Sequence, residues 1–255
     1  MAALACWLAA CSSGGGSGAA AYSQRFGDGG ACPASSAPAL PAGSGCVTSV
    51  AADLDGDGRP DRFVVYAKPS GKNPATWWAE AMVGDSQTPP VRLSTGLQVG
   101  GSAGIYPRVA GAAEANGDPG DEVFVQLSAN VYHGAAPPVD AIYGVRGGRV
   151  VPAVSGGKPF LFSTGGVSRF GNGARCETVG GAHVLVLTTV TIEPYGWKWF
   201  EHTYRWDGLG LVPDGTRSGR LPRALISDPR VYRNYQLICG GLRMSQVTSS
   251  YPPPP

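Results

Sequence analysis

Asp53-Leu54-Asp55-Gly56-Asp57-Gly58-Arg59-Pro60-Asp61, leading through Arg62 into Phe63-Val64-Val65, is the stretch whose reading decides the fold. Carboxylates fall at loop positions 1, 3, 5 and 9, and the Arg59 carbonyl stands at position 7. Together they form a set of hard oxygen donors suited to Ca²⁺. Oxygens at alternate positions converge only on a tightly curled chain, and Gly56 and Gly58 permit the curl because they carry no side chain. The apolar run behind the loop predicts a strand. The pattern speaks to architecture and ion binding and names no reaction.

The same pattern returns 61 residues later. Glu114-Ala115-Asn116-Gly117-Asp118-Pro119-Gly120-Asp121-Glu122 precedes Val123-Phe124-Val125, so Asp53, Asp55, Asp57 and Asp61 correspond to Glu114, Asn116, Asp118 and Glu122. A third step gives Arg175, Glu177, Val179 and His183 ahead of Val184-Leu185-Val186. There the strand persists and the ligand types are lost. The offset also joins Tyr143, Gly147, Val150, Val151 and Pro152 to Tyr204, Gly208, Leu211, Val212 and Pro213. Each unit therefore reads as loop, apolar strand, Gly/Pro-rich connection, alternating strand and hairpin turn, Asp207-Gly208 being such a turn.

Residues 197 to 206 alternate Trp197, Trp199, Glu201, Thr203 and Arg205 with Lys198, Phe200, His202, Tyr204 and Trp206, a strand with aromatics on both faces. Val231 to Ile238 is expected to be a last strand, and helical periodicity is hard to find anywhere.

The 255 residues, 43% of them hydrophobic, suffice for one all-β domain or two small ones. The 39 Gly and 22 Pro are spread between short apolar runs, which predicts many strands and turns. A net charge of +2 with no Lys/Arg cluster argues against a nucleic-acid partner.

At the N-terminus, Leu8-Ala9-Ala10-Cys11 matches the bacterial lipobox. It implies a signal segment 1–11, lipidation of Cys11 and a membrane anchor, hence an exported cell-envelope lipoprotein or a secreted protein. No Lys or Arg precedes the apolar run, as an ordinary signal would have. Residues 12–45, rich in Gly, Ser, Ala and Pro, read as a linker, and 246–255 as a disordered tail. With Cys11 acylated, Cys32, Cys46, Cys176 and Cys239 remain, an even number consistent with two disulfides outside the cytoplasm. Three pairings are open. A local Cys32–Cys46 clasp with a long-range Cys176–Cys239 tie is favoured, since it keeps the linker pair together. A zinc site lacks the C-x-x-C spacing it needs.

At Asp53–Asp61 and Glu114–Glu122 the chain resembles FG-GAP/VCBS repeats, the blade units of integrin-like β-propellers, over roughly residues 46 to 216. The resemblance implies tandem four-stranded blades within 46–245: repeats of about 46–106, 107–167 and 168–219, then a C-terminal strand segment. It implies a partial or small propeller, since three units fall short of the usual four to eight or so. By the same resemblance the Ca²⁺ ligands are Asp53, Asp55, Asp57 and Asp61 with the Arg59 carbonyl. In the second loop they are Glu114, Asn116, Asp118 and Glu122 with the Gly120 carbonyl. Pro119 replaces the position-6 glycine there, so weaker binding or none is expected. Residues 220–242 are expected to build a further sheet with residues near the linker. An EF-hand is rejected, because position 12 holds Val64 and Val125 rather than Glu.

The leading functional expectation is a non-catalytic, Ca²⁺-stabilised extracytoplasmic module that presents a surface to an extracellular protein or glycan. A second is carbohydrate or cell-wall binding by stacking on Trp77, Trp78, Tyr195, Trp197 and Trp199, against which core packing of these rings is the stronger expectation. A third, a secreted hydrolase, has no G-x-S-x-G, HExxH or P-loop to support it, and His133, His183 and His202 stand alone.

Overall fold

The computed structural model describes residues 40–68, 76–93, 107–128, 139–167 and 169–245. Cys11, Cys32, His133, the linker as far as residue 39 and the tail from 246 lie outside them. The described chain is all-β with one short helix.

The first sheet is antiparallel: β1 (Gly45–Ala52), β2 (Asp61–Lys68) and β3 (Thr76–Val83), with the short β4 (Ser86–Gln87) and β5 (Val91–Arg92) both on β3. The second repeats its core with β6 (Arg108–Ala113), β7 (Glu122–Ser128) and β8 (Val139–Arg146), and β9 (Arg149–Pro152) on β8. Pairings recur 61 residues apart. Ala52 pairs with Asp61 as Ala113 does with Glu122, and Phe63 pairs with Ala81 as Phe124 does with Ile142.

Next come β10 (Val154–Ser155), β11 (Lys158–Pro159), β12 (Leu161–Ser163), which returns to pair with β8, and β13 (Gly165–Val167). The third sheet centres on the long meander β14 (Phe170–Val179), β15 (Ala182–Glu193), β16 (Gly196–Asp207) and β17 (Gly210–Pro222). Among the described residues the three sheets do not close into a barrel or a ring.

Core composition places the second sheet in the middle. Val123, Val125 and Tyr143 pack with Phe63, Val65 and Trp77 of the first sheet. Phe124 and Ile142, on the opposite face, pack with Leu185, Trp206 and Leu211 of the third. A strand covered on both faces has no side to keep polar, which is why Val123-Phe124-Val125 reads as a continuous apolar run. Each fully buried Phe here contributes roughly 1.5–3 kcal/mol.

The third sheet departs from the 61-residue rule in one strand. Tyr204 and Pro213 pair as Tyr143 and Pro152 do, but Leu185 lies opposite Tyr204 where the offset predicts Val184. A one-residue slip reverses the faces of a strand, and Leu185 accordingly points into the core shared with the second sheet. The slip follows from the loss of the loop. β14 runs on to Val179, and Gly180-Gly181, both left-handed (φ 58° and 84°), form a two-residue hairpin turn that sets its own register.

The C-terminal segment is also corrected. Val231 and Tyr232 belong to a helical turn, α1 (Pro229–Tyr232), and a 3-10 turn follows at Arg233–Tyr235. Asp228 caps α1 by accepting from the Arg230 N–H, and Pro229 occupies the first turn, where its missing N–H costs nothing. Only then does β18 (Gln236–Cys239) begin, parallel to β14, with β19 (Leu242–Ser245) beside it. Residues 236–245 thus extend the third sheet and build no further one. Cys176 and Cys239 are joined by a disulfide across β14 and β18, with Cα atoms 4.7 Å apart. Cys46 is disulfide-bonded as well.

Candidate metal centre

The first loop curls around its own carboxylates. Asp53 Oδ1 accepts from the N–H groups of Gly56 (2.8 Å) and Asp57 (3.0 Å), and Oδ2 accepts from that of Gly58 (2.9 Å). Gly56 and Gly58 are both left-handed, with φ near 80°. Asp61, at the start of β2, is 7% exposed, and its oxygens accept from the N–H groups of Leu54 and Gly84, each at 3.0 Å. A carboxylate has lone pairs left after two such bonds. Oxygens of Asp53, Asp55 and Asp61 lie within 4.8 Å of one another. The donor set is all hard oxygen, and the curled backbone holds it in place, so these residues fit a Ca²⁺ ion.

Asp57 is not in that group. Its Oδ1 accepts from the Arg59 N–H at 2.8 Å.

The second loop has the same scaffold. Gly117 donates to Glu114 Oε1 (2.8 Å), Asp118 N–H to Asn116 Oδ1 (2.7 Å) and Ala115 N–H to Glu122 Oε2 (3.0 Å). These match the first-loop bonds from Gly56 to Asp53, Asp57 to Asp55 and Leu54 to Asp61. Proline cannot take a positive φ, so the left-handed residue moves from Gly58 to Gly120 (φ 100°), one step past Pro119. The acids do not converge as in the first loop. Glu114 Oε1 faces His183 Nδ1 at 3.5 Å, and the Asn116 amide donates to the Gly208 carbonyl at 3.1 Å. Arg146 approaches both Glu122 and Asp118. Glu122 is fully buried, and burial pushes its carboxyl up to about 7, against the opposing pull of the Ala115 N–H and Arg146.

The loops touch. Asp121 N–H donates to the Asp53 carbonyl at 2.6 Å and Asp53 N–H to Asp121 Oδ2 at 3.3 Å. A Cβ on Gly120 would stand 2.8 Å from the Leu54 carbonyl oxygen. Beside this contact lies a cleft of about 660 Å³ between the first two sheets, lined by Asp55, Val83, Gln87, Asp118, Val145 and Arg146 among others.

The aromatic set does not form one surface. Trp77 and Trp197 are 3% and 2% exposed, and Trp197 donates to the Ala224 carbonyl, so neither has a free face for a sugar. Trp78 and Trp199 are half-buried, the former beneath the Lys68 ammonium, whereas Tyr195 is 93% exposed.

Sequence reading missed Arg146 and the contact of Asp121 with Asp53. It also missed a trio on the third sheet in which the buried Glu201 accepts from a half-buried Arg175 and an exposed Arg217. Burial raises the Glu201 carboxyl, but the two guanidiniums together bring it below its ordinary value. Only the last left a trace, a carboxylate on the same strand face as Trp197 and Trp199.

No helix among the described residues is long and apolar enough to cross a membrane. Comparison with family models, curated proteins and solved structures gives no match.

Proposed function

We propose that the chain is a non-catalytic, extracytoplasmic β-repeat module of FG-GAP/VCBS type, a stack of blade-like sheets stapled by Ca²⁺, presenting a surface to a protein or glycan at the cell envelope. The observation that carries it is the gathering of Asp53, Asp55 and Asp61 within 4.8 Å at the loop that opens β2. Supporting it, the second sheet repeats the pairings of the first 61 residues on. The Cys176–Cys239 disulfide suits an oxidising compartment. When bound, the ion neutralises charge and ties loop to strand. The chain's own residues orient the ligands, Asp53 through three backbone N–H groups and Asp61 through two. The lipid anchor at Cys11 belongs to the same proposal.

Calcium titrated calorimetrically into chelator-stripped protein is expected to give binding heat and, at about 100 times Kd, roughly 2.7 kcal/mol of added stability. Asp55→Ala, which removes an exposed ligand, is expected to abolish both and to leave the chelated protein's melting unchanged. Absence of heat in the wild type defeats the proposal.

A glycan reading keeps one observation in its favour, the exposed ring of Tyr195. Tyr195→Ala should then weaken retention on a polysaccharide column without loss of fold.

A further inference from the structure

The two loops share a scaffold and differ in what neutralises their acids. Asp53, Asp55 and Asp61 converge, and among the described residues none of them forms an ion pair. In the second loop Arg146 Nη2 lies 3.4 Å from Glu122 Oε1 and 3.6 Å from Asp118 Oδ2. These are positions 9 and 5 of the pattern, and position 1, Glu114, is drawn aside to His183.

Strand length explains why a guanidinium is available in one sheet only. β3 ends with the pair Val83–Ser86, and the Gly84 N–H in its turn meets Asp61. In the second sheet β8 runs two residues further relative to the paired core, to Arg146–Arg149, before turning at Gly147-Gly148. The extra length carries a cationic side chain to the place where the first sheet offers a backbone N–H. Glutamate in place of aspartate at position 9 adds the reach to meet it. A planar guanidinium can serve two carboxylates at once and keeps its charge at any working pH.

We infer that Arg146 is the resident cation of the second loop, held between Glu122 and Asp118 in place of a divalent ion, so that the chain takes up one Ca²⁺ and not two. The inference rests on the calcium reading of the first loop for its ion count and on the Arg146 contacts for the rest. It also assigns a direction to the shared cleft: Asp55 faces it from one loop, Arg146 and Asp118 from the other.

The test titrates Ca²⁺ alone into chelator-stripped wild type and Arg146→Gln. One equivalent is expected for the wild type and two for the variant. Two equivalents in the wild type, or one in the variant, overturn the inference. Because Glu122 is wholly buried, Arg146→Gln is paired with Glu122→Gln and the double variant in a cycle run in chelator. Each single change is expected to raise the unfolding constant about tenfold, and the double change by no more than either alone. Additive effects overturn the inference. A wild type that takes up no ion defeats the calcium reading of the first loop, and the cycle then decides the role of Arg146.

Discussion

Residues 53–61 and 114–122 are two loops on one scaffold, touching edge to edge, and only one of them gathers its acids. Three hydrogen bonds recur in both, from Gly56 and Gly117, from Asp57 and Asp118, and from Leu54 and Ala115. The bond common to fold and loop is the last. A buried acid at the head of the strand, Asp61 or Glu122, satisfies the backbone N–H of the loop behind it. In the third sheet that position is His183, no such acid is present, and the loop gives way to the Gly180-Gly181 hairpin. The comparison separates a shared part from a variable one. The strand-opening acid keeps the loop a loop, and its other neighbours differ, Asp53 and Asp55 in the first loop and Arg146 in the second.

The sharpest way to break this comparison is to force the loops apart. Gly56 and Gly58 are both left-handed, so alanine at either carries the strain of a positive φ, about 1 kcal/mol. A Cβ at Gly58 meets nothing within 4 Å. At Gly56 it would stand 2.9 Å from the Pro119 carbonyl carbon and 3.0 Å from the Gly120 nitrogen, backbone that has no side chain to swing away. Gly56→Ala is therefore expected to cost about 3–4 kcal/mol in urea unfolding, and Gly58→Ala about 1. Equal losses would mean that the loops do not rest on each other.

How much of this was legible follows from where the information lies. The 61-residue offset marked the second unit as a copy of the first, and the pairings of the two sheets do recur at that spacing, because strand register is written in local periodicity and a repeat copies it. It failed at Val184-Leu185-Val186, where a two-residue turn replaced a nine-residue loop and shifted the register by one. It assigned Val231 to a strand because Val-Tyr and Leu-Ile read as β-formers, and it passed over Asp228-Pro229, a helix start one turn long. The contact of the second loop with Arg146 was not legible in the loop itself. Arg146 lies 24 residues from Glu122 on a different strand, and only the pairing of β7 with β8 brings them together.

A second prediction sharpens the contrast between the sheets. Where the first sheet pairs Val65 with Ala79, the second pairs Gln126 with Asp140, all four buried. Burial pushes the Asp140 carboxyl from its ordinary 3.8 up to about 7, although the Thr164 hydroxyl donates to it at 2.7 Å. The folded state thus holds a proton that the unfolded state releases. Stability from this group is complete below about pH 4 and declines as pH rises to about 7, by an amount on the order of 4 kcal/mol. Glu122 titrates in the same direction over an overlapping range. Asp140→Asn is expected to flatten the decline measured between pH 4 and 7 in chelator. An unchanged slope would place the effect at Glu122 alone.

The smallest expected effect tests the contact between the second loop and the third sheet. His183 Nδ1 faces Glu114 Oε1 at 3.5 Å, with both side chains substantially exposed, a pairing worth well under 1 kcal/mol. The same imidazole, however, lies flat on Gly117, where a Cβ would come within 2.7 Å of its Cδ2. If the contact is one of packing, His183→Gln costs about 0.5 kcal/mol and the loss is the same in 0.1 M and 1 M NaCl, since salt screens charge and leaves van der Waals contact alone. Gly117→Ala should cost more, for it adds positive-φ strain (φ 84°) to a clash with the ring. A loss in His183→Gln that vanishes in 1 M NaCl would instead mean that Glu114, like Glu122 beside Arg146, is held by a cation from the neighbouring strand. The second loop would then be tied by charge at both ends, and its departure from the first would be complete.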